Sequence, residues 1–486
     1  MEIPLAVNEA EFCTSFAVMS LVERTLPRCD NHQTHLCFAC QDTPLNASLL
    51  RAAIRYCDRS ELERQQLEKL NLLLATVIPN NRYYQDRFGC SALTMKSLAE
   101  WSQMPTSQKS DWLCKESGDE SSGLALHHTY PPEMYRRYHR TSGTRGKPMV
   151  ILDTAADWQW WIATWQYVLD ASEIQASDRI MMAFSFGPFI GFWSAHDACL
   201  SRGCMVIPCG GMSTAARIDL IRSAKPTVLF STPSYALHLA DDAANRGIDL
   251  VGSSIRQVFV AGEPGGSVPA IRSKIETAFG AQVMDHAGAT EVGPWGFGSV
   301  DGKAIHVIES EFIAEFLPWM PERVAEKTQT GSGLAGSGLS SEVFELVLTS
   351  LGRVGAPVLR YRTGDLVRPN FAEDGYCNFI RLESGVVGRT DEMIVVRGVN
   401  IFPSSIDAIV RSFPAVTEYR LTVSKRGAMD ELMLEYESSA DSEQGTTNLL
   451  AERLSIQLNL RFEVTHSLAG SLPRTEGKAR RMFDRR

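Results

Sequence analysis

Residues 179–231 read RIMMAFSFGPFIGFWSAHDACLSRGCMVIPCGGMSTAARIDLIRSAKPTVLFS. Three short apolar runs, RIMMAF (179–184), GCMVIP (203–208) and PTVLFS (226–231), have the length of buried strands. TAARIDLIRSA (214–224), between the last two, reads as a helix. The alternation continues through QVFVAG (257–262) and the helical SVPAIRSKIETAF (267–279). Parallel strands need long crossovers, so strands alternating with helices predict an α/β fold with a mainly parallel sheet covered on both faces.

Upstream, SELERQQLEKLNLLLATVIP (60–79) predicts a helix with Ser60 as N-cap and Glu63 three residues on. Residues 1–45 show weak periodicity and read as an N-terminal extension. Downstream, strand patterns at 306–317 and 342–351 frame the glycine–serine run GSGLAGSGLSS (331–341), expected to be a surface loop. After Gly388 the pattern changes. MIVVRG (393–398) and LTVSK (421–425) frame the helical SSIDAIVRSF (404–413), which predicts a small α+β unit. The expected organisation is an extension (1–45), a large domain (46–388) and a small domain (389–486), divided at Arg389–Asp391.

The 486 residues are 44% hydrophobic and 22% charged, enough for a large core in more than one domain. A net charge of −9 argues against nucleic acid as the main partner, which would need a basic face. No apolar run reaches the length of a membrane span, and the start MEIPLAVNEAEFC lacks the pattern of a secretory signal. Eleven cysteines without such a signal fit a reduced, cytoplasmic setting. Cys29, His32, Cys37 and Cys40, with His35 nearby, are zinc-ligand types, but their middle spacer is shorter than common zinc modules use. The sequence sets no oligomeric state.

HRTSGTRGKP (139–148) brings hydroxyls, glycines and a lysine into one loop. It lacks Walker spacing, and Pro148–Leu152 after it favours a strand over a helix. The loop is therefore expected to join two strands. Its amides and the hydroxyls of Thr141, Ser142 and Thr144 would donate to a polyphosphate, with Gly143 and Gly146 allowing close approach and Lys147 adding charge. Thr290 and Glu291 set a hydroxyl beside a carboxylate after the strand-like QVMDH, a combination that suits Mg²⁺. Asp365 follows a glycine in YRTGD, where a carboxylate can take two ribose hydroxyls. Lys478 lies in LPRTEGKARR (472–481), where a fixed ammonium could stabilise charge developing on a phosphate.

Six pieces occur in order: TSGTRGKP (141–148), AGEPGG (261–266), AGATEVGPW (287–295), YRTGDLV (361–367), GRTDEMIVVRGVNIFPSSID (388–407) and LPRTEGKARR (472–481). Together they resemble the adenylate-forming superfamily of acyl- and aryl-CoA ligases, luciferases and peptide-synthetase adenylation domains, and most of all its phenylacetate–CoA ligase branch. The resemblance spans about residues 60–486.

That resemblance implies a large domain of layered, mostly parallel sheets, a small mobile C-terminal domain, and ATP, Mg²⁺ and CoA as reaction partners of a small carboxylic acid. It implies Thr290 at the α-phosphate, Glu291 at the metal, Asp365 at the ribose and Arg389 at the nucleotide. Gly262, Glu263 and Pro264 would lie by the base, with Asp285 and His286 near it; His286 could instead contact a ring hydroxyl or amino group of the acid, or cap a strand. Asp391 would be the hinge, Arg397 and Gly398 would line the CoA channel, and Lys478 would bridge the nucleophile and the phosphate.

Two positions depart from the family. Ala287 replaces an aromatic that lies near adenine, and Arg145 replaces a threonine. The aromatic stretch FSFGPFIGFW (184–193) borders the acid pocket in this branch, which nominates Phe186 and Phe189, with Ala261 and Gly288 as floor positions. The implied function is AMP-forming ligation of a carboxylic acid, aromatic by these rings, to the thiol of CoA. The alternatives are loading of a carrier-protein phosphopantetheine, or a nucleotide-binding homologue with weak catalysis.

Overall fold

The structure, a computed structural model, describes residues 44–113, 123–141, 148–184, 187–319, 343–372, 375–397, 399–426, 429–438, 443–473 and 481–486. The cysteine–histidine cluster at 29–40 and the glycine–serine run at 331–341 lie outside the described residues.

The chain enters through α1 (Pro44–Arg55), α2 (Arg59–Asn80) and α3 (Arg82–Phe88). α2 is the helix predicted at 60–79, with Leu70, Leu73, Leu74, Val77 and Ile78 buried. Its start differs: Asp58 is the N-cap, without a side-chain cap bond, and Ser60 lies inside the first turn. The first residue is anchored by an ion pair instead, Arg59 to Glu309 at 2.6 Å.

β1 (Arg137–Arg140) and β2 (Val150–Asp153) form an antiparallel hairpin around the glycine loop, as the sequence predicts. α4 (Ala155–Ala171) follows, capped reciprocally by Thr154 and Asp157. Then β3 (Arg179–Met182), α5 (Ile190–Arg202), β4 (Met205–Pro208), α6 (Thr214–Ala224) and β5 (Val228–Ser231) alternate. α7 (Pro233–Asn245), β6 (Gln257–Ala261), α8 (Pro269–Phe279) and β7 (Gln282–Ala289) complete the series. The strands pair in parallel in the order β4-β3-β5-β6-β7.

Both faces of this sheet are covered, which is why its strands read as continuous apolar runs. Ile180, Met182, Phe230, Phe259 and Met284 pack in one core with Trp161 and Trp165 of α4. Met181, Leu229, Val258, Val260 and Val283 pack in another with Ile218, Leu239 and Ile275 of α6, α7 and α8.

The sheet is parallel only over those five strands. It continues through β8 (Gly293–Gly298) and β9 (Ala304–Val307), each antiparallel to its predecessor. The stretch 306–317, expected as one strand, breaks at 308–311, where Phe312 N donates to Ile308 O. Its second half is β10 (Phe312–Pro318), which joins a separate antiparallel sheet with β11 (Phe344–Ser350), β12 (Tyr361–Val367) and, later, β15. β13 (Pro369–Asn370) and β14 (Arg381–Glu383) close the nine-stranded sheet, and β15 (Gly388–Arg389) closes the smaller one.

A separate α+β unit follows: β16 (Ile394–Val396), β17 (Val399–Ile401), α9 (Pro403–Arg411), β18 (Val416–Arg426), β19 (Met429–Ser438), α10 (Glu443–Leu458), β20 (Glu463–His466) and β21 (Met482–Asp484). Its sheet runs β20-β19-β18-β21, over a core of its own that includes Ile406, Val410, Leu421, Leu434, Leu450 and Leu454. It meets the larger body where Lys274 of α8 donates to the carbonyls of Phe413 (3.0 Å) and Val416 (3.3 Å). Among the described residues no helix is long and apolar enough to cross a membrane.

Candidate functional site

The neck of the glycine loop is closed by Thr141, buried at the end of β1. Its backbone N–H donates to Met149 O and its hydroxyl oxygen accepts from Met149 N–H, each at 3.0 Å. Ser142, Gly143, Thr144, Gly146 and Lys147 lie outside the described residues.

Thr290 and Glu291 form the turn between β7 and β8, and Glu291 is buried. Arg353, in the turn after β11, donates to the Glu291 carbonyl at 2.8 Å and the Thr290 carbonyl at 3.2 Å. Its Nε donates to Asp153 Oδ1 at 2.7 Å. Asp153 ends β2, so one guanidinium ties the hairpin that carries the glycine loop to the turn that carries Glu291. Both side chains of this pair are 0% exposed. His139 Nδ1 lies 3.6 Å from the other Asp153 oxygen, and Trp161 Nε1 donates to Oδ1 at 3.2 Å. Burial alone would push the Asp153 carboxyl up, but the charges of Arg353 and His139 outweigh it and hold the group below its ordinary range. Asp157 extends the clasp by accepting from Val354 N (2.8 Å) and Gly355 N (3.0 Å).

The Glu291 carboxylate already meets a cation. Lys109, on the one-turn helix Lys109–Trp112, places Nζ 2.6 Å from Oε1. No group of three or more acidic, histidine or cysteine ligands occurs among the described residues. A lone carboxylate fits Mg²⁺, which takes one or two protein carboxylates and completes its shell with phosphate and water oxygens.

Asp365 and Arg389 are cross-strand partners of β12 and β15, and Arg389 donates to the carboxylate of Asp365. Arg389 also donates to Asp391 Oδ1 at 2.9 Å and to Thr363 O at 3.2 Å. The negative charge of Asp365, then that of Asp391, holds the guanidinium firmly protonated against its burial. Asp365, Arg389 and Asp391, the residues expected at the ribose, the nucleotide and the hinge, are thus one connected group. Gly364, next to Asp365 inside β12, takes φ +75° where the register with β11 shifts.

At the end of the parallel strands, Asp285 and His286 face opposite ways. Asp285 accepts from Ser267 Oγ at 2.7 Å, and a Cβ on Gly266 would clash with it at 2.5 Å. It therefore holds the loop that bears Gly262, Glu263 and Pro264. Burial pushes its carboxyl up to about 6 in spite of the Ser267 bond. Glu263 accepts from both the backbone N–H and the hydroxyl of Ser234 in the first turn of α7. His286 pairs across the sheet with Ala261 and packs on Trp165, the ring centroids 4.1 Å apart. Ala287 is buried in the main core, and a Cβ on Gly296 would lie 3.4 Å from its own. Gly288 is exposed, Ala261 partly so, and Phe189 stands 46% exposed at the start of α5.

Arg397 donates to Asp430 O from a backbone with φ +50°. Phe186, Gly398 and Lys478 lie outside the described residues. Sequence reasoning missed Lys109, Asp153 and Arg353. Only Arg353 left a trace, as a charge in the turn LGRVG after an apolar strand.

Residues 118–310 match the AMP-binding enzyme family, and residues 398–486 match the AMP-binding enzyme C-terminal domain. The phenylacetate–coenzyme A ligase of Aromatoleum evansii is 30% identical over 449 residues, which cover 89% of this chain and 96% of that protein. The phenylacetate–coenzyme A ligase of Escherichia coli (strain K12) is 30% identical over 439 residues, covering 88% and 95%. Among solved structures, 2-hydroxyisobutyryl-CoA ligase in the postadenylation state has a TM-score of 0.78 at 24% identity, covering 94% of this chain and 95% of that one, a likeness of fold.

Proposed function

The chain belongs to the AMP-binding enzyme family, beside the phenylacetate–coenzyme A ligases, and from that membership we propose that it ligates a carboxylic acid to CoA through an acyl-adenylate. In the first step the acid's carboxylate attacks the α-phosphorus of ATP and pyrophosphate leaves. In the second the CoA thiol attacks the acyl carbon, AMP leaves, and a thioester remains. AMP is a far better leaving group than oxide, which is what the first step achieves.

The observation that carries the reading is the buried Asp153–Arg353 pair, which joins the glycine-loop hairpin to the Thr290–Glu291 turn at 2.7 Å. The stem of the glycine loop, at β1 and β2, and the turn bearing Glu291 are thereby tied together, which would preorganise the site for transition-state charge. Glu291 would hold Mg²⁺, which when bound supplies positive charge to the phosphate oxygens. Thr290, Thr141 and the donors of 142–147 would bind phosphate, and Asp365 the ribose. Lys478 would stabilise charge on the attacking oxygen and the α-phosphate. The domain boundary is proposed at Arg389–Asp391, supported by β15 ending at Arg389 in the large domain's sheet and β16 opening the small unit at Ile394. Asp391 would serve as the pivot, bringing Arg397 and Gly398 to the CoA path. A reduced cytoplasmic setting is supported by the cysteines among the described residues, Cys57, Cys90, Cys199, Cys204, Cys209 and Cys377, all of which are free thiols.

ATP–pyrophosphate exchange over a panel of aromatic and aliphatic acids tests the reading, followed by thioester formation with free CoA against a carrier protein. Wild-type exchange with at least one acid is expected, and Lys478→Ala should abolish it while ATP still binds. Exchange at the wild-type rate in that variant would remove the assignment of Lys478.

A further inference from the structure

The register of β7 with β8 shifts between Ala287 and Ala289, so Gly288 sits at a bulge, and Thr290 follows just past the strand end. Gly288 lies in an interior strand of a nine-stranded sheet and is nevertheless exposed, so the space above it is open. A Cβ at Gly288 would come within 3.1 Å of His286 Nε2 and 3.2 Å of Gly293 O. The open space is thus bordered by the imidazole on the side away from Thr290.

The state of that imidazole is set by its other nitrogen. His286 Nδ1 lies 2.8 Å from Gly296 O. A carbonyl can only accept, so Nδ1 carries the hydrogen and Nε2 presents a lone pair. His286 is 8% exposed and packed at a tilt against Trp165, and burial lowers its pKa to about 4, so the ring stays neutral near pH 7. No described residue donates to Nε2. Nε2 is not among the buried polar atoms left without a partner, so its lone pair reaches the open space beside Gly288 and can take a donor from a ligand.

Spacing says where on the ligand the donor must be. At about 3.3 Å per residue the backbone from His286 to Thr290 spans at most roughly 13 Å, less for the bulge at Gly288, which stands between the two. An acid whose carboxylate lies at the Thr290–Glu291 turn, and whose flat body lies over Gly288, ends at His286. Resting on the ligase reading above, we propose that His286 Nε2 accepts a hydrogen bond from the end of the acid remote from its carboxylate. The substrate class is then a ring acid bearing a hydroxyl or amino donor, and His286 is the residue that selects it. An apolar residue in its place would favour an unsubstituted ring.

The test compares matched acids in ATP–pyrophosphate exchange: an unsubstituted aryl acid, its ring-hydroxyl and ring-amino derivatives, and a methyl-ether derivative that cannot donate. Wild type should favour the better of the two donor acids over the unsubstituted acid by at least on the order of tenfold in kcat/KM, and the two arms report which donor fits. H286L should erase the ratio, and H286Q, which keeps an acceptor, should retain part of it. A loss of fold alone would lower all rates together and leave the ratio standing, so the ratio is the diagnostic quantity. If H286L does not fold, H286A, which also lacks an acceptor, reads the same ratio. Equal use of donor and unsubstituted acids by wild type overturns the inference, as does a preference that survives in H286L. Ligand-induced thermal shifts with the same acids separate this from the ligase reading. A donor-dependent shift lost in H286L, without exchange, would remove the ligase reading and leave His286 its role; no shift and no exchange with any acid would remove both.

Discussion

Replacing Arg353 with methionine keeps length and apolar bulk while removing the guanidinium. Asp153 and Arg353 are both 0% exposed, so water does not replace the lost partner. Deleting one member of a buried ion pair typically costs about 3–5 kcal/mol, because the remaining charge is stranded. The carbonyls of Thr290 and Glu291 also lose their donor, at about 1 kcal/mol each where no water enters. The cost should depend on pH. In wild type the Asp153 carboxyl is held below its ordinary value, so it adds stability above its unfolded pKa and that stability is lost only as pH falls through the folded pKa. Without Arg353, burial raises the same carboxyl, and stability instead falls as pH rises. The gap between wild type and R353M should therefore widen from pH 4 to pH 7.

Urea denaturation at the two pH values measures the gap, and ATP–pyrophosphate exchange measures its consequence at the site. A displacement near 1 Å of the turn bearing Glu291 is enough to cost on the order of 10²-fold in rate. D153N/R353M removes both charges and should recover at least half of the stability, though not the exchange rate. A loss below about 1 kcal/mol in R353M, or a double variant no more stable than the single, would refute the claim that this pair clasps the site.

Asp285 gives the opposite slope. Its folded pKa of about 6 lies above the unfolded value, so stability is fullest below about pH 4 and declines as pH rises through 6. D285N should flatten this, gaining about 3 kcal/mol relative to wild type between pH 4 and pH 7, and parallel urea midpoints at both pH values would contradict it. E291Q should raise the Mg²⁺ concentration for half-maximal exchange by at least on the order of tenfold, the scale seen when even an outer partner of a metal is lost; an unchanged Mg²⁺ titration would move the metal elsewhere. D365N should weaken nucleotide binding on the order of 10²-fold through loss of charged hydrogen bonds to ribose, and calorimetry showing wild-type ATP affinity would reject that role.

Much of this fold was legible because a strand covered on both faces must be apolar throughout. Val228–Ser231 and Gln257–Ala261 announced themselves in that way. The helix at 214–224 was legible through its apolar spacing. What escaped was direction. The antiparallel partners β8 and β9 are no less buried than the parallel strands, so composition carries no mark of the change. The break at 308–311 falls on the polar Glu309–Ser310–Glu311 between the apolar Val307–Ile308 and Phe312–Ile313, and the Glu309 carboxylate accepts from Arg59 and from Ile380 N–H.

The sequence by itself determined the family and nominated its chemistry: a loop of small donors, a hydroxyl beside a carboxylate, an aspartate after a glycine, and a lysine near the end, in the order of one enzyme family. Local chain chemistry suffices there, since each motif works through residues adjacent in sequence. Only the tertiary structure decided how the motifs hold together. Arg353 reaches Asp153 across 200 residues and Lys109 reaches Glu291 across 182. Folding selects such partners by burial and charge, and neither leaves a pattern along the chain. The same holds for His286, whose neutral, outward-facing Nε2 exists because Gly296, ten residues away on the next strand, takes the hydrogen of its other nitrogen.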